Sequence, residues 1–535
     1  MIDPQDPFFF GGGRFLNGGP YTWHVTDMDQ RRHFAVTYDP PVPIDRENDE
    51  ELEGTEQICA KQLLRHLHKL GQGVYGIRFT EPDGPITIIT DPKEDVTLYV
   101  NNYPLSALKL PFPVKTISMA CLTELDRIQW SVDLVSYPAS PHAGNGPSKT
   151  IAVFKYWYMF NGMDRSWYEL NNWSRLPRDH PHIVPFDSVV LDSVTEKVVG
   201  FTSLFIPGGT LFDNNATTRT FRLRWLHQLL SVVDDLNYRY GIMHQDIAPR
   251  NLIIDEEDNL RVFDFNYSAM IDECYMDDWE GVVFTLYEII TLDGQWRSKI
   301  PRNEQDAKPL LEMEWVKHAD VKLDSDVKTF RDVLDVWLNE RKSKKFELAD
   351  TWVRWDRIPA APIGPTAHYD QHGQVIGKKM KSTVSLQRRN LIKWGEPFFN
   401  WERPPNPLQM EASRKIDAEA TKHEALKKED TGDNELKEEA TGDKELKEED
   451  IGDNELKEEA TGDNELKEEA TGDKKLKEEA VDKKAEENNT TGQGVMDKET
   501  VGVDQDVVGD AAQDMMQKEE SQRPDEGPKN SSLRG

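Results

Sequence analysis

Polar residues that could do chemistry are concentrated in one short stretch, GIMHQDIAPRNLIIDEEDNLRVFDFNYSAM, at 241–270. It contains a His-x-Asp pair whose aspartate is Asp246, then Asn251 five residues later, and Asp264 after a predicted strand at 261–263. Phosphoryl transfer needs a carboxylate beside the acceptor hydroxyl and oxygen ligands for the cation of a triphosphate. These residues supply such groups, and the spacing His-x-Asp-x4-Asn arises by chance in only about a few per cent of chains this long.

Two residues upstream could complete such a site. Lys155 ends the otherwise apolar run Ala-Val-Phe-Lys on a predicted strand, and its ammonium could neutralise phosphate charge. Glu169 follows on a predicted helix, where it could pair with Lys155. Taken alone, a strand lysine is most often a solvated surface residue and a helix glutamate an exposed charge. Their order ahead of Asp246 favours a shared site over coincidence.

The predicted elements change character along the chain. Periodicity and turn signals predict strands at 121–128, 132–137, 150–158, 183–191 and 197–205, and a helix at 164–176. A long amphipathic helix at 221–240 and an apolar helix at 279–291 follow. Strands with one helix first and helices afterwards indicate a two-lobed α+β fold.

The order of these motifs resembles the protein-kinase-like superfamily over about 120–350. HQDIAPRN is similar to its catalytic loop, which implies Asp246 as the base that orients the hydroxyl and Asn251 as a metal ligand. Arg250, just before Asn251, is similar to the loop of tyrosine kinases. DFN at 264–266 resembles the D-F-G triplet and implies Asp264 on the metal. AVFK resembles the strand of the phosphate-binding lysine, with Lys155 held by the helix residue Glu169.

Two further stretches extend the resemblance. FIPGGTL at 205–211 is similar to the hinge that holds adenine, which implies Phe205 and Ile206 in nucleotide binding. DDWEGVVFTLYEIIT at 277–291 is similar to the large-lobe helix whose leading aspartate, Asp278 here, braces the catalytic loop. More narrowly, VDLVSYP, FKYW, HQDIAPRN and GVVFTLYEIIT together resemble a fungal branch of kinase-like proteins. The resemblance implies ATP and Mg²⁺ as cofactors.

Three departures from the family pattern stand out. The glycine-rich loop G-x-G-x-x-G is missing, so the phosphate-covering turn is predicted at 129–131, with AGNG at 143–146 as a displaced alternative. Gln245 replaces the arginine of His-Arg-Asp, which implies that phosphorylation of the activation segment does not switch the protein. The segment 264–278 is short and lacks an A-P-E triplet, and this weakens the case for a peptide substrate.

Two classes of function remain open. The first is an ATP-dependent phosphotransferase acting on a hydroxyl, either of a protein, as an atypical protein kinase, or of a small molecule. The second is a pseudokinase scaffold that binds nucleotide or partners. Retention of all five polar residues favours catalysis, whereas the missing glycine loop and Asn266 favour the scaffold.

Composition divides the chain into four parts. We expect a loosely packed accessory segment with a small helix and strand unit at 1–119, the kinase-like domain at 120–350, and an extension packing on the large lobe at 351–410. The stretch 411–535 has no Phe, Trp or Tyr and repeats acidic units such as ELKEE. Such a segment cannot bury enough apolar surface to offset its ordering entropy, so we expect a disordered tail, with a protein partner as the alternative.

Net charge, cysteine content and the absence of apolar runs indicate where in the cell the protein is located. The net charge of −32 opposes nucleic acid as a partner, since phosphates would be repelled. Three widely spaced cysteines indicate reduced thiols. The N-terminus lacks the basic and apolar regions of a signal peptide, and no run reaches the roughly 20 apolar residues of a membrane span. These features predict an intracellular protein, cytoplasmic or nuclear, that does not enter membranes.

Overall fold

The architecture comes from a computed structural model that describes residues 7–15, 19–44, 48–138, 149–159, 163–274, 276–345, 347–348, 354–356, 358–372 and 374–438. None of the helices in these ranges is long and apolar enough to cross a bilayer. The repeats beyond Glu438, and the AGNG stretch at 143–146, lie outside the described residues.

The N-terminal part forms a five-stranded sheet in the order β1-β2-β3-β4-β5. Its elements are β1 (Phe8–Phe15), β2 (Tyr21–Asp27), β3 (Arg32–Tyr38), helix α1 (Asp49–His66), β4 (Gly76–Phe79) and β5 (Thr87–Ile89). The sequence predicts loose packing in 1–45, but β1 to β3 bury Phe10, Trp23 and Phe34 beneath α1 residues such as Leu63. Burial of these aromatic side chains stabilises the sheet by more than the conformational entropy that its glycine and proline residues lose on folding.

A second sheet of six strands forms the small lobe, in the order β7-β11-β12-β10-β9-β8. Its elements, with the short strand β6 that precedes them, are β6 (Leu98–Val100), β7 (Thr116–Ser118), β8 (Thr123–Gln129), β9 (Val132–Pro138), β10 (Lys149–Tyr156), helix α2 (Met163–Ser174), β11 (Phe186–Leu191) and β12 (Val198–Leu204). Strand β10 lies between β9 and β12, where Lys155 pairs with Val132 and Phe201. Lys155 is therefore carried by an interior strand, which holds its backbone on both sides.

The large lobe is mainly helical. Its elements are α3 (Leu223–Asp234), β13 (Ile242–Met243), β14 (Leu252–Ile254), β15 (Leu260–Val262), β16 (Ala269–Met270), α4 (Asp278–Thr291), α5 (Gln295–Ser298), α6 (Lys308–Glu312) and α7 (Val327–Arg341). The short pairs β13–β16 and β14–β15 carry the motif loops. A shared core of fully buried side chains, including Leu226, Val283 and Phe330, joins its helices. This confirms the two-lobed, kinase-like α+β fold predicted from the sequence.

The C-terminal extension packs differently from the prediction. It comprises β17 (Ile363–Tyr369), β18 (Val375–Ser382), β19 (Ser385–Gln387), α8 (Arg388–Trp394) and α9 (Pro407–Glu438). The sequence predicts that it covers the large lobe, and Arg354 does pair with Asp272 and Glu273 there. The later part lies elsewhere, because β19 pairs with β6 and Trp401 stacks on Tyr156 of the small lobe. Helix α9 also runs past the boundary predicted near 411, because Ser413 and Asp417 bond to the N-terminal helix region. The extension buries aromatic rings of the small lobe, since Trp401 packs against Tyr156 and Tyr158 and both tyrosines are about 1% exposed.

Candidate functional site

The centre of the site is an ammonium group between two carboxylates. Nζ of Lys155 on β10 lies 2.6 Å from Oε1 of Glu169 on α2 and 2.5 Å from Oδ1 of Asp264, which follows β15. The Glu169 side chain is 3% exposed, that of Lys155 15% and that of Asp264 25%. The three residues chosen from the sequence therefore meet at one point between the lobes, and Asp264 is the most open to solvent.

The backbone holds Asp264 in an unusual conformation. Its φ angle is 67°, in the left-handed region that few residues other than glycine adopt. Such a conformation costs on the order of 1 kcal/mol or more, and it persists only where the surroundings enforce it. Here Oε1 of Glu169 also accepts the N–H of Phe265, at 3.1 Å, and thereby fixes the next peptide. The same glutamate thus positions both the lysine and the turn that carries Asp264.

Burial and charge compete at this centre. Burial opposes the charge of Lys155, but Asp264 and Glu169 outweigh it and raise the pKa of the ammonium. Burial raises the pKa of Glu169 to about 7, although the Lys155 ammonium favours its ionised form, and the charge of Asp264 adds to the rise. Lys155 therefore stays charged at neutral pH and can bind phosphate oxygens.

The predicted catalytic loop is held by its own side chains. Asn251 donates from Nδ2 to Oδ2 of Asp246 at 2.6 Å and to its carbonyl at 2.9 Å. Arg250 donates to the other carboxylate oxygen of Asp246 at 2.7 Å. Asp278, fully buried at the start of α4, accepts the backbone N–H groups of His244 and Gln245 at 2.8 and 2.6 Å. Asp278 thus braces the loop, as the resemblance implies.

A column of rings connects the two lobes behind the charged groups. Phe265 is fully buried, with its ring centroid 5.2 Å from Trp173 on α2 and 4.8 Å from His244 on the loop. Trp173 in turn lies 5.9 Å from Phe201 on β12. The column couples α2, the loop and the Asp264 turn, because displacing one ring would open a cavity beside the others.

Residues that the sequence does not single out complete the surroundings of Asp246. Arg302 lies with Nη2 3.6 Å from Oδ1 of Asp246, donates to the carbonyl of Gln245, and sits 3.7 Å above the ring of Tyr267. Arg297 donates to the carbonyl of Ile247 at 2.8 Å. Both follow α4 in a stretch without periodic pattern or motif, so only the tertiary structure reveals their position.

A turn lies at the position where the sequence predicts one, and its contact with phosphates stays a prediction. Strands β8 and β9 are joined at Trp130 and Ser131, so two residues with side chains stand where the family has glycine. Ser131 accepts the N–H of Tyr156 at 3.0 Å, which places the turn next to Lys155 along the sheet. A short turn at this level presents fewer backbone N–H groups than a glycine loop.

The predicted hinge follows β12 directly. The N–H of Phe205 bonds to the carbonyl of Ile151 at 3.4 Å, and the Phe205 side chain is 39% exposed. Ile206 is half-buried against the shared core. Gly208 and Gly209 follow with positive φ angles, which only glycine adopts easily. The structure thus places Phe205 and Ile206 directly after β12, the neighbour of the strand that carries Lys155, and their contact with a nucleotide stays a prediction.

The donor set fits a magnesium–nucleotide complex better than an all-protein metal site. Among the described residues no group of three or more His, Cys, Asp or Glu side chains could hold a metal ion. Asp264 and Asn251 offer hard oxygen ligands on adjacent turns, since the N–H of Phe263 bonds to the carbonyl of Asn251. Mg²⁺ in proteins is commonly held by one or two side chains together with substrate phosphates.

Comparison with known proteins finds similarity to protein kinases. CBL-interacting serine/threonine-protein kinase 19 of Arabidopsis thaliana is 35% identical over 101 residues, which are 18% of this chain and 20% of the relative. CBL-interacting protein kinase 15 of Oryza sativa subsp. japonica is 33% identical over 102 residues, 18% of this chain and 23% of the relative. The chain is related to the protein kinases.

The relationship is limited in extent. The chain spans only about a fifth of the length of these curated kinases, and no family model matches it. Both relatives are plant proteins, so the resemblance to a fungal branch stays a prediction. The kinase similarity therefore supports the class of chemistry, and the details depend on the residues of this chain.

Proposed function

We propose that this protein is an ATP-dependent phosphotransferase, an atypical protein kinase that transfers the γ-phosphate to a hydroxyl of a protein. One observation carries the proposal: Lys155 is bonded to both Glu169 and Asp264, next to a loop on which Asn251 orients Asp246. Such an arrangement provides a cation for phosphate oxygens, ligands for a metal and a carboxylate for the acceptor.

Each residue has a distinct part in this proposal. Mg²⁺ held by Asp264 and Asn251 would neutralise the phosphates. Lys155, fixed by Glu169, would bind phosphate oxygens. Asp246 would accept a hydrogen bond from the acceptor hydroxyl. The hydroxyl oxygen forms the new P–O bond as the bond to ADP breaks, and the hydroxyl proton leaves through Asp246 to solvent. Burial opposes the charge of Asp246, but Arg250 and Arg302 outweigh it and lower its pKa, so the carboxylate acts chiefly by orienting the hydroxyl.

A second candidate is a pseudokinase scaffold that binds nucleotide without transfer. The observation that favours it is the Trp130–Ser131 turn, which offers side chains where the family grips phosphates with backbone groups. The short segment after Asp264 similarly supports a small-molecule acceptor as an alternative to a protein.

Transfer of labelled γ-phosphate distinguishes these candidates. The purified full-length chain is incubated with Mg·ATP and a library of proteins, peptides and small alcohols. Asp246→Asn, which keeps the size and one hydrogen-bond acceptor, should reduce transfer by about 10²-fold or more while sparing nucleotide binding. Equal transfer by Asp246→Asn and wild type would refute the mechanism, and nucleotide binding without transfer to any acceptor would favour the scaffold.

A further inference from the structure

Two arginines lie close to one oxygen of the Asp246 carboxylate. Nη2 of Arg250 and Nη2 of Arg302 lie 2.7 and 3.6 Å from the same carboxylate oxygen, Oδ1. Burial opposes the charge of this carboxyl, and the charges of Arg250, Arg302 and Arg297 outweigh it and lower its pKa. One carboxylate therefore faces several cationic groups in a protein whose net charge is −32.

The three arginines are not equivalent. Arg297 is fixed by Glu288, at 3.2 Å, and by carbonyl groups of the loop and α4, so its role is structural. Arg250 has a side chain that is 47% exposed although it touches Asp246. Arg302 is held over Tyr267, and its buried Nε atom has no hydrogen-bond partner among the described residues. Arg250 and Arg302 are thus the two guanidinium groups that lie within 4 Å of the Asp246 carboxylate.

Tyr267 also contacts a second arginine. Arg165, in the first turn of α2, donates to the Tyr267 hydroxyl at 3.1 Å and lies 4.8 Å from the ring centroid. Tyr267 therefore lies against Arg165 and Arg302 together. Such rings orient guanidinium groups by cation–π contact and leave their N–H edges able to bind an anion.

We propose that Arg302, with Arg250, forms an anion-binding subsite, so that the acceptor hydroxyl belongs to a molecule with a carboxylate or phosphate close to that hydroxyl. A guanidinium group binds such oxygens through two parallel hydrogen bonds, which sets position as well as affinity. The inference rests on the proposed phosphotransferase function, because it assigns the acceptor of that site. It also explains the basic residues around Asp246, which the transfer step alone does not require.

The test measures binding without nucleotide, so it does not depend on catalysis. Fluorescence anisotropy follows three labelled peptides on the full-length chain at about 0.15 M salt, where surface charges beyond about 8 Å are screened. The peptides are identical except that the central serine is flanked by Glu, Gln or Lys. Competition by glycerol 3-phosphate and by glycerol separates a small phosphorylated acceptor from an acidic peptide.

We expect an anionic probe to bind about tenfold or more tightly than its neutral counterpart, and Arg302→Gln to abolish this preference. Arg302→Lys should restore part of it. Arg331→Gln is the matched control, because Arg331 also lies over a ring, Trp315, and donates to backbone carbonyls, but far from Asp246 in the chain. Preference for the anionic peptide would identify an acidic protein acceptor, and preference for glycerol 3-phosphate alone a small molecule.

Equal binding of charged and neutral probes, or a preference that survives Arg302→Gln, would overturn the proposal. The result is independent of the proposed function, which fails separately if Mg·ATP does not bind or no transfer occurs. An anion preference without transfer would mean that the subsite exists but serves a scaffold.

Discussion

Asp133 tests how the extensions at both ends of the chain hold the small lobe. It is the second residue of β9, directly after the Trp130–Ser131 turn, and it is buried. Arg31, from the N-terminal sheet, lies 2.5 Å from Oδ2, and Arg403, from the C-terminal extension, lies 3.0 Å from the same atom. Trp401 stacks on Tyr156 beside them. Residues from both extensions thus contact the β8–β9 hairpin, which precedes the strand that carries Lys155.

We predict that Asp133→Asn destabilises the protein substantially. The side chains of Asp133, Arg31 and Arg403 are only 3, 6 and 8% exposed, so the change leaves two buried guanidinium groups without their main counter-charge. Breaking such a pair costs about 3–5 kcal/mol. Two facts reduce the expected loss: burial raises the pKa of Asp133 although both arginines oppose the shift, and Arg403 keeps Glu124 as a partner. We therefore expect Asp133→Asn to lower the free energy of unfolding by about 2–3 kcal/mol.

The assay is thermal and denaturant unfolding of the full-length chain. For a cooperative unit of 150–250 residues the change corresponds to a drop in Tm of roughly 5–10 °C. Asp258→Asn is the matched control, because Asp258 also contacts three arginines, Arg219, Arg222 and Arg224, but at the surface. Its loss should cost about 1 kcal/mol or less. If both substitutions lower the free energy of unfolding by the same small amount, the claim that the extensions stabilise the hairpin is refuted.

Two further predictions concern the ring column and acid stability. Phe265→Ala should lower the free energy of unfolding by about 3–5 kcal/mol, measured by urea unfolding, and weaken the binding of nucleotide, measured by calorimetry. Phe212→Ala is the control and should do neither, because Phe212 is exposed. Burial lowers the pKa of His24 and of His33 to about 4, so the folded state binds fewer protons than the unfolded chain. The stability that these two neutral histidines contribute should be complete above pH 6.5 and lost as pH falls toward 4. Unfolding curves at pH 7.5 and pH 5 measure this loss. The double variant His24→Gln with His33→Gln should show a smaller difference in unfolding free energy between the two pH values.

The central site was predictable because its residues belong to ordered motifs. Lys155, Glu169, Asp246, Asn251 and Asp264 each occupy a position that strand, helix and loop signals define locally, and the structure brings them together. Their arrangement follows from the fold class, which the change from strands to helices indicates.

The surrounding contacts were not predictable, because their partners are distant in the chain. Arg302 lies near Asp246 only through the path of the chain after α4, which no local pattern encodes. The sequence around Trp401 is compatible with packing on either lobe. Its position on the small lobe follows from the aromatic surface at Tyr156, which only the structure reveals. Strand β1 contains three consecutive glycines, which favour a loop by propensity, yet cross-strand packing with β2 overrides that preference.

The most direct test of the account is the Mg²⁺-dependent thermal shift produced by ATP. At 100-fold saturation a ligand specific for the folded state stabilises it by about 2.7 kcal/mol, which is a shift of several degrees. Asp264→Asn is the matched variant, because asparagine tolerates the positive φ of this position but carries no charge. The account predicts a shift in the wild type that requires Mg²⁺ and disappears in Asp264→Asn. An equal shift in that variant, or no shift in either protein, would contradict it.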